Sequence, residues 1–458
     1  MITEVIVAST VGVLLLILFL VKFFNNNRHS SSANDKNASK FNESANEFEN
    51  ENQQENILTE EKCNQSQEGN GFEGGKKKYG KPKSGKVKLI SDSFTHPLLV
   101  TSLKGHAGDV TSFDLSSNGK YLISTATDRS IFLWTIKDVG SKSVKSIRAN
   151  VEFDSARLIK FSPDNRSFIT CLENGNCIRV FKFKKNEDGS FSKIEQVIDD
   201  FPKTHSADII NIGIDSAGNY AMTADAGTRF DILNLKGDQL SSVDTGTMCN
   251  SGAAVSPCGR FVAAFGFTPD VKVWEVSFDR AKEFKGVKRV FDLKGHKAGV
   301  LSLAFSADSS RVATLSKDST WKLWKTDVEY ARGQDPVLVC TGAVKDKLDA
   351  ARIAVSPDGR TVAIAVENNV TLYNGITQEE DQKIAAIFSS EVRHIMFSMN
   401  GKYLICCGDR QVKVFNNPTG YKSQISDYTA QLKTCNKNAE RRLTEQLEEA
   451  KKALKELS

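Results

Sequence analysis

The chain has 458 residues and a formal net charge of +5, enough for one large core with appendages and too close to neutral for a basic protein throughout. Its nine cysteines are odd in number and scattered, with no CxxC or Cys/His spacing, which argues against a disulfide framework and a zinc module. No GxSxG elbow, HExxH helix or kinase signature is present, and Gly74-Gly75-Lys76-Lys77 lacks the first glycine and the Ser/Thr of a phosphate loop. The expectation is therefore a protein that is not an enzyme and has no cofactor and no small-molecule substrate.

Residues 1–24 open the chain with apolar material. Val5 to Val21 is seventeen residues without a charge, bounded by Glu4 and Lys22, at the lower limit for a membrane-spanning helix. A cleaved signal peptide would need a basic start and a small-residue cleavage site, and Lys22-Phe23-Phe24-Asn25 offers neither. The expectation is an uncleaved anchor, with Lys22, Arg28, Lys36 and Lys40 holding the carboxy-terminal side in the cytosol. The sequons at Asn37, Asn42, Asn64 and Asn165 would be used only with the opposite topology. So short a span suits the thinner endoplasmic-reticulum bilayer.

Residues 25–90 are expected to be a disordered tether, being rich in Asn, Ser, Glu and Gln and too poor in large apolar residues to offset the entropy of ordering. The tether then turns basic: Lys76, Lys77, Lys78, Lys81, Lys83, Lys86 and Lys88 occur with no acid among them. Such a run either stays solvated or lies on anionic lipid or RNA phosphate. With Tyr79 its single aromatic, it is a poor stacking platform for RNA bases.

Residues 91–420 are built from a unit that recurs seven times. Each unit has an apolar run, a tight Ser/Asp/Gly-rich turn, a second run, and a third expected to end in an aromatic. The turns are Ser116–Gly119, Ser162–Asn165, Asp215–Gly218, Ser256–Gly259, Ser306–Ser309, Ser356–Gly359 and Ser398–Gly401, and their last residues lie 41 to 53 apart. That period, with several short strands per unit, predicts an all-β, seven-bladed β-propeller. The seventh unit ends at Asn416-Asn417-Pro418 one strand short, and Leu98–Leu103 stands ahead of the first unit without a blade of its own. Pairing the two would close the ring and remove an exposed edge.

Residues 421–458 change to a helical period. Leu443, Leu447, Ala450, Leu454 and Leu457 make a short amphipathic seam between charged residues. The seam would dock on the propeller, pair with a second copy, or meet a partner.

Two units name a family. Gly105-His106 is followed by Asp128 and Trp134, and Gly295-His296 by Asp318 and Trp324, with spacings of 22 and six in both. This resembles the WD40 repeat. The resemblance implies a buried polar network of His, turn Asp, strand Ser/Thr and Trp, with Ser124 as the hydroxyl in the first blade and Ser316 or Thr314 in the fifth. His/Asp/Ser invites comparison with a catalytic triad, but the trio repeats between blades, which is structural behaviour. Thr204-His205 with Asp225 is a partial match, Trp274 closes the fourth unit without a His, and units two, six and seven end in Phe181, Tyr373 and Phe415.

The whole architecture resembles a family of WD40 proteins anchored in the endoplasmic-reticulum membrane. That resemblance implies a stress-signalling role, association with the resident kinase that phosphorylates a translation initiation factor, and contact with the translation machinery. The function expected is an interaction scaffold, with an RNA or ribosome tether through the lysine cluster as the alternative. Arg157 and Arg393 stand five residues before the turn Ser of their blades and Arg352 one position off, so together they would form a basic ring at the channel mouth for an acidic or phosphorylated segment. The competing expectation leaves them solvated or pairs them with neighbouring blade acids such as Asp154 or Glu391.

Overall fold

A computed structural model describes residues 94–136, 144–187, 191–197, 199–348, 350–434 and 437–457. The expected membrane anchor, tether and lysine cluster lie outside the described residues. Among the described residues no helix is long and apolar enough to cross a membrane.

The strands in chain order are β1 (Leu99–Lys104), β2 (Val110–Leu115), β3 (Tyr121–Ala126), β4 (Ser130–Thr135), β5 (Ser146–Asn150), β6 (Ala156–Phe161), β7 (Ser167–Leu172), β8 (Ile178–Lys185) and β9 (Phe191–Gln196). They continue through β10 (Ile209–Ile214), β11 (Ala221–Asp225), β12 (Arg229–Leu233), β13 (Gln239–Asp244), β14 (Asn250–Val255), β15 (Phe261–Gly266), β16 (Val271–Phe278), β17 (Phe284–Leu293), β18 (Val300–Phe305) and β19 (Arg311–Ser316). The remainder are β20 (Thr320–Lys325), β21 (Val337–Ala343), β22 (Ala351–Val355), β23 (Thr361–Val366), β24 (Asn369–Asn374), β25 (Glu380–Ile384), β26 (His394–Phe397), β27 (Tyr403–Gly408) and β28 (Gln411–Asn416). They form seven antiparallel four-stranded sheets, the blades of a propeller.

Six blades take four consecutive strands, from β2–β5 through β22–β25. The seventh has the order β26-β27-β28-β1. Leu103 pairs with Val412 and Lys104 with Gln411, so the stray amino-terminal run supplies the missing strand, as its position predicts.

The tight turns explain their own residue pattern. In blade six the Ser356 hydroxyl donates to Asp358 (2.5 Å) and accepts from the Thr361 amide (2.9 Å). The fourth residue of every turn has positive φ, from Asn165 (55°) and Ser309 (59°) to Gly259 (75°), which is why glycine dominates there. Blade three begins its turn with Asp215, whose carboxylate accepts from the amides of Ala217 and Asn219.

The core lies between blades. Seven apolar clusters each draw on two neighbouring sheets: Trp321 and Leu323 meet Ile353 and Val362 across blades five and six, and Leu103 and Val414 meet Val110 and Phe113 across the closure. Inner strands are stitched to one another by side chains. Asp114 accepts from the Phe161 amide (2.8 Å), Asn211 from Ala253 (3.1 Å) and Ser302 from Ile353 (3.1 Å), satisfying backbone groups that no strand pairs.

The tail departs from the single helix expected over 421–458. It is a pair, α1 (Pro418–Leu432) and α2 (Lys437–Leu457), and the seam residues Leu443, Leu447 and Ala450 are buried. α1 lacks an apolar stripe and docks on blade six through polar contacts instead. Asp427 takes Arg360 at 2.6 Å, Asp381 takes Lys422 at 2.7 Å, and Arg360 also lies over the Tyr428 ring. The helices therefore lie at the end of the propeller that carries the tight turns, leaving the inner-strand starts on the opposite end.

Because Leu103 is 2% exposed at the closure, Leu103→Ala should lower stability by about 2–5 kcal/mol. Denaturant unfolding of the full chain measures it, and an unchanged midpoint would refute a role for β1 in holding the ring.

Candidate functional site

The two expected polar networks are present. In blade one His106 Nε2 lies 2.7 Å from the Ser124 hydroxyl, which also accepts from Trp134 Nε1 (2.9 Å). On the other side His106 Nδ1 meets Ser130 Oγ at 2.7 Å, and Ser130 donates to Asp128 at 2.5 Å. Asp128 itself stands 3.7 Å from the ring, so the expected His–Asp bond runs through a serine. In blade five the bond is direct, with His296 Nδ1 3.1 Å from Asp318, and Thr314 is the shared hydroxyl for His296 (2.8 Å) and Trp324 (2.9 Å). Ser316 instead donates to the Ala298 carbonyl.

Blade three holds a third network. His205 contacts Asp225 at 3.0 Å and Thr223 at 2.8 Å, and a second buried carboxylate, Asp231, lies 3.4 Å from Nε2. Leu233 stands where the tryptophan would be, opposite Ala221.

Burial lowers His106 to about 4, so the ring is neutral near pH 7. Burial alone would raise the Asp128 and Asp318 carboxyls. Hydrogen bonds from the Ser130 and Thr320 hydroxyls, with those from the Ala107 and Lys297 amides, overcome it and bring both down to about 2. Each turn acid thereby ties the loop that enters its blade to the sheet.

Sequence reasoning missed how three of the four blades without the histidine do the same job; blade six has Thr371 at the matching position of its third strand. Arg179, Lys272 and Lys413 occupy one cross-strand position, opposite Thr170, Ala264 and Cys406. Each reaches back to a carbonyl of the entering loop: Arg179 to Glu152 (3.0 Å), Lys272 to Thr245 and Gly246 (2.7 and 2.8 Å), and Lys413 to Ile387 (2.6 Å). Lys413 is 1% exposed, with its ammonium 4.2 Å from the Phe94 ring centroid and 4.9 Å from that of Phe388. The readable signal is a cation flanked by two apolar residues near the start of the third strand, in a unit with no histidine in its entering loop.

At the channel mouth the three arginines come from blades six, seven and two and form an arc rather than the expected ring, because Thr111, Ile210, Ser251 and Leu301 hold the corresponding positions in blades one, three, four and five. The acids named for them are also wrong. Asp154 is consumed by the amides of Ser155, Asn174 and Gly175. Arg157 faces Glu173 at 3.7 Å and donates to the Ile209 carbonyl (2.6 Å), while Arg393 faces Asp109 at 3.8 Å. Arg352 is exposed and makes no ion pair among the described residues, its one hydrogen bond going to the Ala351 carbonyl. Arg157 Nε in β6, Arg393 Nε just before β26 and His394 Nδ1 at the first residue of β26 are buried without a hydrogen-bond partner. Burial, reinforced by Lys160 and Arg352, lowers His394 to about 3, so it adds no charge. Lys160 is matched by Asp114 at 2.9 Å. Among these groups three acids match three cations, and Arg352 is left over.

Seven blades, loops locked by polar networks and a cation-rich mouth define a WD40-repeat propeller, a scaffold for protein–protein interaction. The WD domain, G-beta repeat, matches residues 98–135, 287–325 and 383–416, corresponding to blades one, five and seven. The chain is 46% identical to transducin beta-like protein 2 of Mus musculus over 386 residues, 84% of this chain and 87% of that protein. It is 45% identical to the Homo sapiens protein over 399 residues, 85% and 89% of the two chains. A shorter stretch of 73 residues, 16% of this chain and 18% of the other, is 33% identical to p21-activated protein kinase-interacting protein 1-like of Gallus gallus. The chain belongs to the transducin beta-like protein 2 family.

The depressed turn acids have a definite sign. A carboxyl lowered to about 2 when folded stabilises the protein above its unfolded pKa near 4, and that contribution disappears as pH falls toward 2. Asp128→Asn and Asp318→Asn should each cost on the order of 1–2 kcal/mol at pH 7, and the difference from wild type should shrink through pH 3 and vanish only below about pH 2 in an unfolding series. Lys272→Met, which orphans two loop carbonyls, should cost about 1–3 kcal/mol in the same assay. A neutral outcome would show that the cation does not replace the histidine.

Proposed function

We propose that this chain is a membrane-anchored scaffold of the endoplasmic reticulum, with its propeller in the cytosol, that docks acidic or phosphorylated segments of protein partners at the channel mouth. The observation that carries the reading is Arg352, exposed and without an acid, on the same mouth as the Nε atoms of Arg157 and Arg393, which make no hydrogen bond. A guanidinium presents paired donors that fit a carboxylate or phosphate, and such charge-assisted bonds are stronger than neutral ones. The mouth lies away from the α1 docking residues Arg360 and Asp381, so the tail does not cover it. The family resemblance supports partners in stress and translation control, namely an endoplasmic-reticulum stress kinase and the translation machinery. The apolar run before Lys22 supports the anchor.

A second reading rests on the seven lysines between Lys76 and Lys88, which carry no acid among them. They would hold RNA or ribosomes at the membrane, with binding that falls steeply with salt.

Affinity capture of the full chain from microsomes separates the two. Arg352→Glu with Arg393→Glu should reduce protein partners about tenfold, about 1.4 kcal/mol, while glutamine at the seven lysines leaves them in place. The reverse pattern would favour the RNA reading. Protease protection with a carboxy-terminal tag tests the topology. Digestion in sealed vesicles is expected, and protection until detergent is added would overturn the cytosolic placement.

A further inference from the structure

The outermost strand of every blade is an edge with unpaired backbone groups on one side, and proteins guard such edges with charge. Six of the seven do. β5 carries Arg148, β9 Lys193 and Glu195, β13 Asp244, β17 Lys285, Lys288, Arg289 and Asp292, β25 Glu380, Asp381 and Lys383, and β1 Lys104. β21, the outer strand of blade five, reads Val-Leu-Val-Cys-Thr-Gly-Ala without a charge. Val337, Leu338 and Val339 are 55%, 41% and 44% exposed, a run of three that no other strand shows among the described residues. A bulge near Val339 is a protection β21 shares with most other outer strands.

We propose that β21 is a docking edge for a second copy of this chain, the two strands pairing antiparallel about a two-fold axis near Cys340. Charge selects this occupant. An isologous antiparallel pair sets each residue against one equally far on the other side of the axis. Asp335 stands five positions before Cys340 and Lys345 five after, so Asp335 of each copy meets the partner subunit's Lys345. Both side chains are exposed, and Lys345 has only a loose contact with Glu380 at 3.8 Å. Between them the pairing is apolar or neutral, with Val337 opposite Ala343 and Leu338 opposite Gly342. The Cys340 thiol faces away, donating to the Gly375 carbonyl inside the molecule, so the pairing needs no disulfide. Two seven-residue strands bury less than the ~1,200 Å² of a stable interface, so the dimer forms at concentrations on the order of 100 µM and dissociates on dilution. This surface is separate from the channel mouth and does not depend on what binds there.

Sedimentation velocity of the full chain in detergent, over roughly 5–200 µM, tests it. Wild type should show a dimer that grows with concentration, and Leu338→Lys should remain monomeric with an unchanged melting temperature, since that side chain is 41% exposed. Asp335→Lys and Lys345→Asp should each weaken association several-fold, and the double swap should restore it. The swap decides the matter even should Leu338→Lys fold poorly. A wild type that is monomeric throughout, a Leu338→Lys that dimerises like wild type, or a double swap as weak as either single change would each overturn the proposal.

Discussion

A four-stranded blade has two apolar faces and no means of covering either. Everything else in this molecule follows from that. Each apolar cluster draws on two neighbouring sheets, so no blade has a core of its own and the last must meet the first. The ring exists because every interface is shared, and it is stable only when closed. The residues at the closure, Leu103, Val110, Val412 and Val414, are accordingly among the most buried in the chain. Inner strands, which have no strand on their channel side, borrow hydrogen bonds from neighbouring blades through Asp114, Asn211 and Ser302.

A closed ring still needs its entering loops held, because those loops form the mouth that a partner would meet. Two chemistries do this. Histidines with a hydroxyl and an acid fix the loops of blades one, three and five, while a long cation from the third strand fixes those of blades two, four and seven. A mouth held this way meets a partner without ordering itself first, which lowers the entropic cost of association.

Blade number, turn chemistry, the closing strand and the His–Asp–Trp blades were legible because each rests on a local pattern. Ser356-Pro357-Asp358-Gly359 reads as a turn from its own four residues, and Gly105-His106 with Asp128 and Trp134 reads as a blade from its spacing. What escaped depends on contacts far apart in the chain. α1 has no apolar stripe because it docks through Asp427 and Lys422, and an ion pair leaves no period. Arg157 pairs with Glu173 because Asp154, the acid nearer in sequence, is already spent on backbone amides, and Arg393 meets Asp109 from a neighbouring blade far away in the chain. Asp231 beside His205 was invisible because an acid in a strand reads as surface until both its neighbours prove buried. Ser130 escaped for a different reason: one serine two residues from its acid carries no signal that it will intervene.

The strand that closes the ring is also the one by which the chain enters it. β1 begins opposite Phe415, close to where β28 hands over to α1, so entry and exit lie at the same end of one ladder. Tension between the two termini would therefore open that ladder like a zipper, one hydrogen bond at a time. A pull on the entering chain against the body of the propeller would instead load all of it in shear, with Phe94 and its grip on Lys413 first in line. The same strand is weak in one direction and strong in the other, and the direction is set by what holds the two ends.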